Sequence, residues 1–300
     1  MTSVMDAAPF AKPPNLDVRK PRLVLPQNSC DSHAHVCGPL DRYPCFADRI
    51  YSPPPEATLE NYQAMLSTLG IKRAVLVQPS FYADDNSALF DALKAMGRDA
   101  RGVVVLGDNL SSTDLERMHA AGVRGVRFNI VDVKSGKGVL PMERLRDISN
   151  RIAPFGWHVE LLMHVNEFPT MDQAFADFPT DIVVGHLGYV PADLGIDDAG
   201  FQALIRLMRD GKAWAKLTGP YRISARDMPH GDLNVFAHAL VDAASEQLVW
   251  GSDWPHVKVS WPIPLPNDGD IVDLLGTWVP DENARTRILV DNPARLYGFS

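Results

Sequence analysis

The segment Cys30-Asp31-Ser32-His33-Ala34-His35-Val36 holds two histidines two residues apart on a short apolar run. If the run is a strand, that spacing turns both imidazoles to one face, and imidazole is the side chain most often found on a metal ion. The pair alone would also suit ordinary packing. Its weight comes from the residues that end the later apolar runs. The second run ends in Gln78 and Ser80 with Tyr82 just beyond, the third in Asp108 and Asn109, and the fourth carries Arg124, Arg127 and Asn129. His164 closes the fifth, His186 the sixth, and Tyr221 and Arg222 the seventh, while Ser252, Asp253, Trp254 and His256 close the eighth. His33, His35, His186 and Asp253, with His164 as a further candidate, form an N/O donor set that one zinc ion accepts with a position left for water. Cys30 and Cys37 bracket the His-x-His but lack Cys-x-x-Cys spacing, so they are weak ligand candidates.

These groups meet only if the chain brings the run ends together. Strand-like and helix-like segments alternate throughout. Strands are expected at 29–37, 72–80, 102–107, 123–131, 158–165, 182–189, 213–221 and 248–254. Helices are expected at 59–69, 86–96, 112–121, 142–153, 170–178, 198–209, 234–244 and 282–296, the first capped by Thr58 and closed by Gly70. Strict alternation predicts a parallel sheet under helices, and the near-continuous apolar strands suit burial on both faces. Eight is the count that closes an α/β barrel of the (β/α)8 TIM type, whose chemistry sits at the C-terminal strand ends. A doubly wound sheet lacks its Gly-x-Gly-x-x-Gly here, and no phosphate-binding Gly-x-x-x-x-Gly-Lys-Ser occurs. The expected organisation is an extended segment, 1–28, before a single barrel, 29–300.

Composition limits the partners. The 300 residues are 46% apolar and 22% charged, with a net charge of −8, so nucleic acid is not an expected partner. The start of the chain is proline-rich without an apolar core, and no run is long enough to cross a bilayer. Three cysteines, Cys30, Cys37 and Cys45, are a sparse odd set that suits reduced thiols. The expectation is a soluble cytoplasmic protein without a membrane partner. Assembly into a homo-oligomer is left open.

With those residues in place, the chain resembles the amidohydrolase superfamily. His33-Ala34-His35 on the first strand, His186 on the sixth and Asp253 on the eighth match its pattern. Further likeness lies in Val126-Arg127-Phe128-Asn129, Gly156-Trp157-His158-Val159, Gly185-His186-Leu187-Gly188 and Asp291-Asn292-Pro293-Ala294-Arg295-Leu296-Tyr297. The most specific piece is Val249-Trp250-Gly251-Ser252-Asp253-Trp254-Pro255-His256, and the likeness runs from Gln27 to Gly298. It is similar to the amidohydrolase-2 group that includes 2-pyrone-4,6-dicarboxylate lactonases and 4-sulfomuconolactone hydrolases. The resemblance implies hydrolysis of a small anionic lactone in aromatic catabolism. It also implies zinc, with which some members of the pyrone group dispense. The pyrone group has no histidine at the position of His164, so its presence here tilts the expectation toward metal.

A lactone carbonyl needs an electrophile, an attacking water and a base. Asp253 is the expected base, acting with His186, and the metal or the histidines would stabilise the oxyanion. Arg127 and Arg222 stand where the group binds substrate carboxylates, and the guanidinium fork suits carboxylate or sulfonate. Tyr51, Ser80, Tyr82, Tyr189 and His256 are further expected substrate contacts. Arg124 reads as a surface ion-pairing residue and His158 as one serving geometry. Two departures bear on the substrate. The group carries arginine directly after His-x-Gly where this chain has Tyr189, and a second arginine after Arg127 is missing, leaving Lys134 and Lys137. Fewer fixed cations favour a monocarboxylated or sulfonated lactone over a dicarboxylate. The rivals are a metal-dependent decarboxylase of an aromatic acid, a lactone isomerase, and a non-catalytic anion-binding barrel.

Overall fold

A computed structural model describes residues 8–131, 139–257 and 263–300, so Lys134 and Lys137 lie outside the described residues. The strands are β1 (Cys30–Ala34), β2 (Arg73–Val77), β3 (Ala100–Val104), β4 (Val123–Asn129), β5 (His158–Leu162), β6 (Ile182–Val184), β7 (Ala213–Leu217) and β8 (Leu248–Trp250). Between them run α1 (Leu59–Leu69), α2 (Ser87–Met96), α3 (Ser112–Ala120), α4 (Met142–Ile152), α5 (Met171–Phe175), α6 (Ala199–Arg209) and α7 (Asn234–Ala244). After β8 come α8 (Asp268–Trp278), α9 (Glu282–Thr286) and α10 (Asn292–Tyr297). Every strand pairs in parallel with its neighbour in chain order. This is a (β/α)8 barrel of the TIM type.

The alternation along each strand sorts the side chains. Val75, Val77, Val103, Val183, Trp214 and Val249 turn inward around Cys30, while the residues between them pack against the helices. Leu296, Tyr297 and Phe299 join the inner cluster, and Arg73 and Arg101, at the starts of β2 and β3, lie over the Phe299 ring at 5.3 and 4.6 Å. The chain's end therefore plugs the N-terminal end of the barrel.

The expected closing helix is present as α9, a π-turn over Arg287–Asp291 and α10, and Asn292 Nδ2 donates to Leu248 O of β8 at 2.7 Å. What the expectation lacked is α8, which packs between α1 and α7. Its signals were in the sequence: Asn267 caps Gly269 N, and Ile271, Val272, Leu274, Leu275 and Trp278 recur at helical spacing on the buried face. The N-terminal segment lies along the same helix, where Asp273 accepts from Arg22 N at 2.7 Å and Leu23 N at 2.9 Å. Strand boundaries also differ. β3 begins at Ala100 because Ala100 and Arg101 pair with Ala74 and Val75. β6 and β8 stop at Val184 and Trp250, so His186, Tyr189 and Asp253 belong to the loops that follow. Among the described residues no helix is long and apolar enough to cross a membrane.

The barrel closes between its first and last strands. His35 N donates to Trp254 O at 2.8 Å and Asp253 N to His33 O at 2.9 Å. Asp31 fastens the seam. Its Oδ1 accepts from Ser252 N at 2.9 Å, and its Oδ2 accepts from Ser252 Oγ at 2.5 Å and from Tyr62 of α1 at 2.9 Å. Burial pushes the Asp31 carboxyl up to about 6, and these donors only partly offset that rise. The folded state therefore binds a proton that the unfolded chain, with an ordinary carboxyl at 3.8, has released. This group's contribution is fully present below about pH 4 and is lost as pH rises through about 6, on the order of 3 kcal/mol in all. Asp31→Asn removes the titrating group. In urea unfolding across that pH range, the stability of the parent should fall relative to the variant; parallel curves would contradict the assignment.

Candidate active site

The C-terminal mouth of the barrel assembles the groups from β1, β6 and β8. One ligand atom each from His33, His186 and Asp253 all lie within 4.8 Å of one another, and all three residues are buried. His33 Nε2 stands 3.6 Å from Asp253 Oδ1, and His35 Nε2 stands 3.9 Å from the same oxygen. The backbone is bent to bring them there. His186, Leu187 and Tyr189 have φ of 51°, 52° and 54°, and Asp253 and His256 both have φ of 62°. Each such non-glycine residue costs on the order of 1–3 kcal/mol, which the surrounding barrel must hold.

Hydrogen bonds on the far edges of the rings decide which nitrogens face the centre. His35 Nδ1 is 2.8 Å from Val77 O, a group that can only accept, so Nδ1 carries the proton and Nε2 its lone pair. His33 Nδ1 lies 3.2 Å from Glu160 Oε1. Burial lowers the His33 imidazole and drives His35 and His186 well below their usual range, so these rings are neutral near pH 7. His33 Nε2 and His186 Nδ1 are buried without any hydrogen-bond partner. Neutral imidazoles with orphaned nitrogens beside an ionised carboxylate are what a divalent metal requires of its ligands. The donor set fits a metal held by His33, His186 and Asp253, with His35 adjacent.

Asp253 is tightly engaged. Arg222 forks onto it, Nε to Oδ2 at 2.6 Å and Nη2 to Oδ1 at 3.2 Å, and the Tyr221 hydroxyl donates to Oδ2 at 2.5 Å. Burial pushes this carboxyl upward, but the Arg222 guanidinium forked onto it outweighs that and holds it well below the usual range. The Tyr221 oxygen also lies 2.9 Å from His256 Nδ1, and His256 Nε2 lies 3.1 Å from Asp268 Oδ1 at the start of α8.

The other expected residues divide into two groups. Arg127 and Ser80 line a cavity of about 420 Å³ over β2 to β4, and the Ser80 hydroxyl is 3.5 Å from that of Tyr51. Arg127 Nη1 donates to Gln78 O at 2.7 Å, while its Nε is buried without a partner. Among the described residues no carboxylate stands within ion-pair distance of it. Arg222, Tyr189 and His164 line a cavity of about 680 Å³ over β5 to β7. Arg222 thus borders a cavity as expected, but its fork is already taken by Asp253.

Several residues fall elsewhere. His164 is not in the His33, His186 and Asp253 group; its Nδ1 pairs with Tyr189 O at 2.8 Å and its ring lies against Tyr189. Tyr82 accepts from Gly38 N at 3.2 Å and lines neither cavity, because it braces the loop after β1. His256 is enclosed between Tyr221 and Asp268 rather than open to a cavity. Arg124 bonds the carbonyls of His119 and Val123 rather than a carboxylate. His158 packs edge-on to Tyr297 at the closed end. Cys30 belongs to the inner cluster, and burial pushes its thiol up to about 12, which makes it a poor ligand.

The site also contains residues that pattern reading passed over. Glu160 and Lys216 pair at 2.6 Å directly beneath His33. Their signal was a charge inside a strand that should be buried on both faces.

The comparisons with known proteins show the family and the fold. The amidohydrolase family model matches residues 30–299, and the protein belongs to that family. A 2-pyrone-4,6-dicarboxylate hydrolase of Comamonas testosteroni is 34% identical, over 93% of this chain and 92% of its own. A 4-sulfomuconolactone hydrolase of Rhizobium radiobacter is 35% identical, over 91% of each chain. Among solved structures, a putative 2-pyrone-4,6-dicarboxylic acid hydrolase of Pseudomonas putida superposes with a TM-score of 0.79 at 33% identity, covering 92% of this chain and 99% of that one. A probable hydrolase of the same kind from Acinetobacter baumannii, solved with citric acid bound, has a TM-score of 0.78 at 26% identity, covering 91% and 100%. The chain is an enzyme of this kind, kin to hydrolases that act on lactones, which are cyclic esters.

Gly219 makes the close packing of the centre possible. A Cβ there would stand 2.6 Å from His186 Nδ1 and 3.0 Å from Asp253 Oδ2, and its φ is +58°. Gly219→Ala should displace His186 and lower kcat/KM at least about 100-fold, the scale expected of a misplaced site group. Steady-state kinetics beside a circular dichroism spectrum would test this, and a folded variant with parental kinetics would refute it.

Proposed function

We propose that the protein hydrolyses a small anionic lactone of the sulfomuconolactone or pyrone-dicarboxylate type with the help of a bound zinc ion. The observation that carries the reading is the neutral, orphaned donor set of His33 and His186 on Asp253, with the buried and incompletely bonded Arg127 nearby. His33, His186 and Asp253, with His35 beside them, would hold the metal, which when bound polarises a carbonyl and acidifies water. His164 remains outside this ligand proposal.

The chain's own residues supply the rest. Arg127 offers a desolvated guanidinium to the carboxylate or sulfonate of the substrate, which orients the ring over the centre. Asp253 takes the proton of the attacking water and returns it to the ring oxygen as the C–O bond breaks. An ion-paired carboxylate is a weak base, so this role requires Arg222 to loosen its fork. An anionic group of the substrate in the cavity bordered by Arg222 offers the guanidinium an alternative partner. Tyr51 and Ser80 lie close enough to Arg127's cavity to add hydroxyl contacts. Tyr189 contributes ring surface beside His164 and His186.

The test is ring opening of 4-sulfomuconolactone, 2-pyrone-4,6-dicarboxylate, carboxymuconolactones and sugar lactones, followed by ultraviolet absorbance with carbon dioxide trapped. Ring opening without carbon dioxide is expected. Carbon dioxide from an aromatic acid would favour the decarboxylase reading. Migration of a lactone without hydrolysis would favour an isomerase, and a D-galactarolactone isomerase of Agrobacterium fabrum is 28% identical over 93% of this chain. Chelation should abolish turnover and added zinc restore it; turnover indifferent to chelation would remove the metal from the proposal.

Two substitutions separate the roles. Asp253→Asn should reduce kcat by at least about 1000-fold while the product still binds. Arg127→Met should raise KM about 10-fold or more with a smaller change in kcat, as expected when uniform binding energy is lost. Full turnover in the Asp253 variant, or an unchanged KM in the Arg127 variant, would overturn the corresponding assignment.

A further inference from the structure

The barrel interior beneath the proposed metal centre holds a charged pair for which the reaction as derived has no use. Glu160 on β5 and Lys216 on β7 meet at 2.6 Å, with side chains 3% and 0% exposed. A buried ion pair adds little net stability, because desolvating two charges costs roughly what their attraction returns, and apolar side chains fill such space as well. This pair has a third partner. Glu160 Oε1 lies 3.2 Å from His33 Nδ1, and Lys216 Nζ lies 3.1 Å from the same nitrogen while donating to Ser32 O at 2.9 Å. The charged atoms thus converge on the edge of the His33 ring that carries Nδ1, while Nε2 on the other edge stands 3.6 Å from Asp253.

We propose that Glu160 and Lys216 are positioning residues for His33. The carboxylate accepts the Nδ1 proton and leaves the Nε2 lone pair to the ligand site. Lys216 holds the carboxylate in place and pins the Ser32 carbonyl of the same strand. Nδ1 faces both a donor, the Lys216 ammonium at 3.1 Å, and an acceptor, the Glu160 carboxylate at 3.2 Å. Two of the ammonium's three protons go to Ser32 O and Glu160 Oε2, and an ionised carboxylate has no proton to give, so the other tautomer would set the Nδ1 lone pair against a carboxylate oxygen. That tautomer would also put a hydrogen on Nε2, where a metal needs a free pair. Carboxylates that fix a metal-binding histidine in this way are typically worth 10–100-fold in metal affinity. The effect on affinity rests on the metal reading above; the choice of tautomer does not.

Two variants test the proposal. In Glu160→Gln the ammonium of Lys216 competes for the single amide oxygen and turns the amide NH2 toward Nδ1, which favours the wrong tautomer. The double variant Glu160→Leu with Lys216→Met removes both charges at similar volume, a replacement that buried ion pairs tolerate. Long-range proton–nitrogen spectra of the metal-free protein, assigned with His33→Gln, report which ring nitrogen of His33 is protonated. Competition with a chromophoric chelator reports zinc affinity, and circular dichroism with thermal unfolding reports folding. The parent is expected to hold the Nδ1–H tautomer. Both variants should lose that preference and bind zinc about 10–100-fold more weakly, with the double variant folded as the parent. A folded variant that keeps the tautomer and affinity of the parent would overturn the proposal, and the single variant decides if the double does not fold. A parent that binds no zinc would defeat the metal reading alone, because the tautomer measurement still judges Glu160.

Discussion

The contact on which the site depends is the seam between β1 and β8. His33 and Asp253 are 220 positions apart in the chain, yet one backbone hydrogen bond joins them at 2.9 Å. Asp31 and Ser252 repeat the link one step away through two further bonds. Parallel strands cannot be joined locally, so each neighbour must be brought in by a crossover helix, and the last strand meets the first only when all eight are in register. The candidate metal centre therefore forms as a consequence of barrel closure. Its left-handed Asp253 and His256 follow β8 at the same seam.

Closure also removes water, and that sets the charge states. The imidazoles become neutral because nothing nearby stabilises their protonated forms enough to offset burial. Asp253 stays ionised because the Arg222 guanidinium forked onto it outweighs the same penalty. The result is a centre in which every group is ready to donate electron pairs and one carboxylate is restrained by a guanidinium. In the proposed function Arg127, buried with an unmet Nε, is the counterpart on the substrate side. The apolar plug of Leu296, Tyr297 and Phe299 fills the opposite end.

Much of this was legible in the chain. Period and punctuation reveal the eight strands, because residues buried on both sides leave continuous apolar runs and helices announce themselves by caps such as Thr58 and Gly70. The rule that barrel chemistry lies at the C-terminal strand ends then picks out His33, His35, His186 and Asp253 without any further contact. Helix α8 was legible too, from Asn267 and its apolar stripe, but the proline-rich stretch before it obscured the start. The loops were harder. Sequence alone extends β6 to Tyr189, whereas the positive φ at His186, Leu187 and Tyr189 ends regular pairing at Val184.

The sequence by itself determined the fold class, the family and which donor residues stand at the strand ends, because these depend on local pattern and residue type. Partnership was decided by the tertiary structure. Arg222 reads in sequence as a free anion-binding group and in the fold as the restraint on Asp253. His164 reads as a ligand and turns to the Tyr189 carbonyl; Tyr82 and His256 read as substrate contacts and serve as braces. Glu160 and Lys216 sit 56 residues apart and meet only across the barrel's interior. A side chain's partner is fixed by distances between strands that no local pattern records, and in a buried site it is the partner that sets charge, tautomer and role.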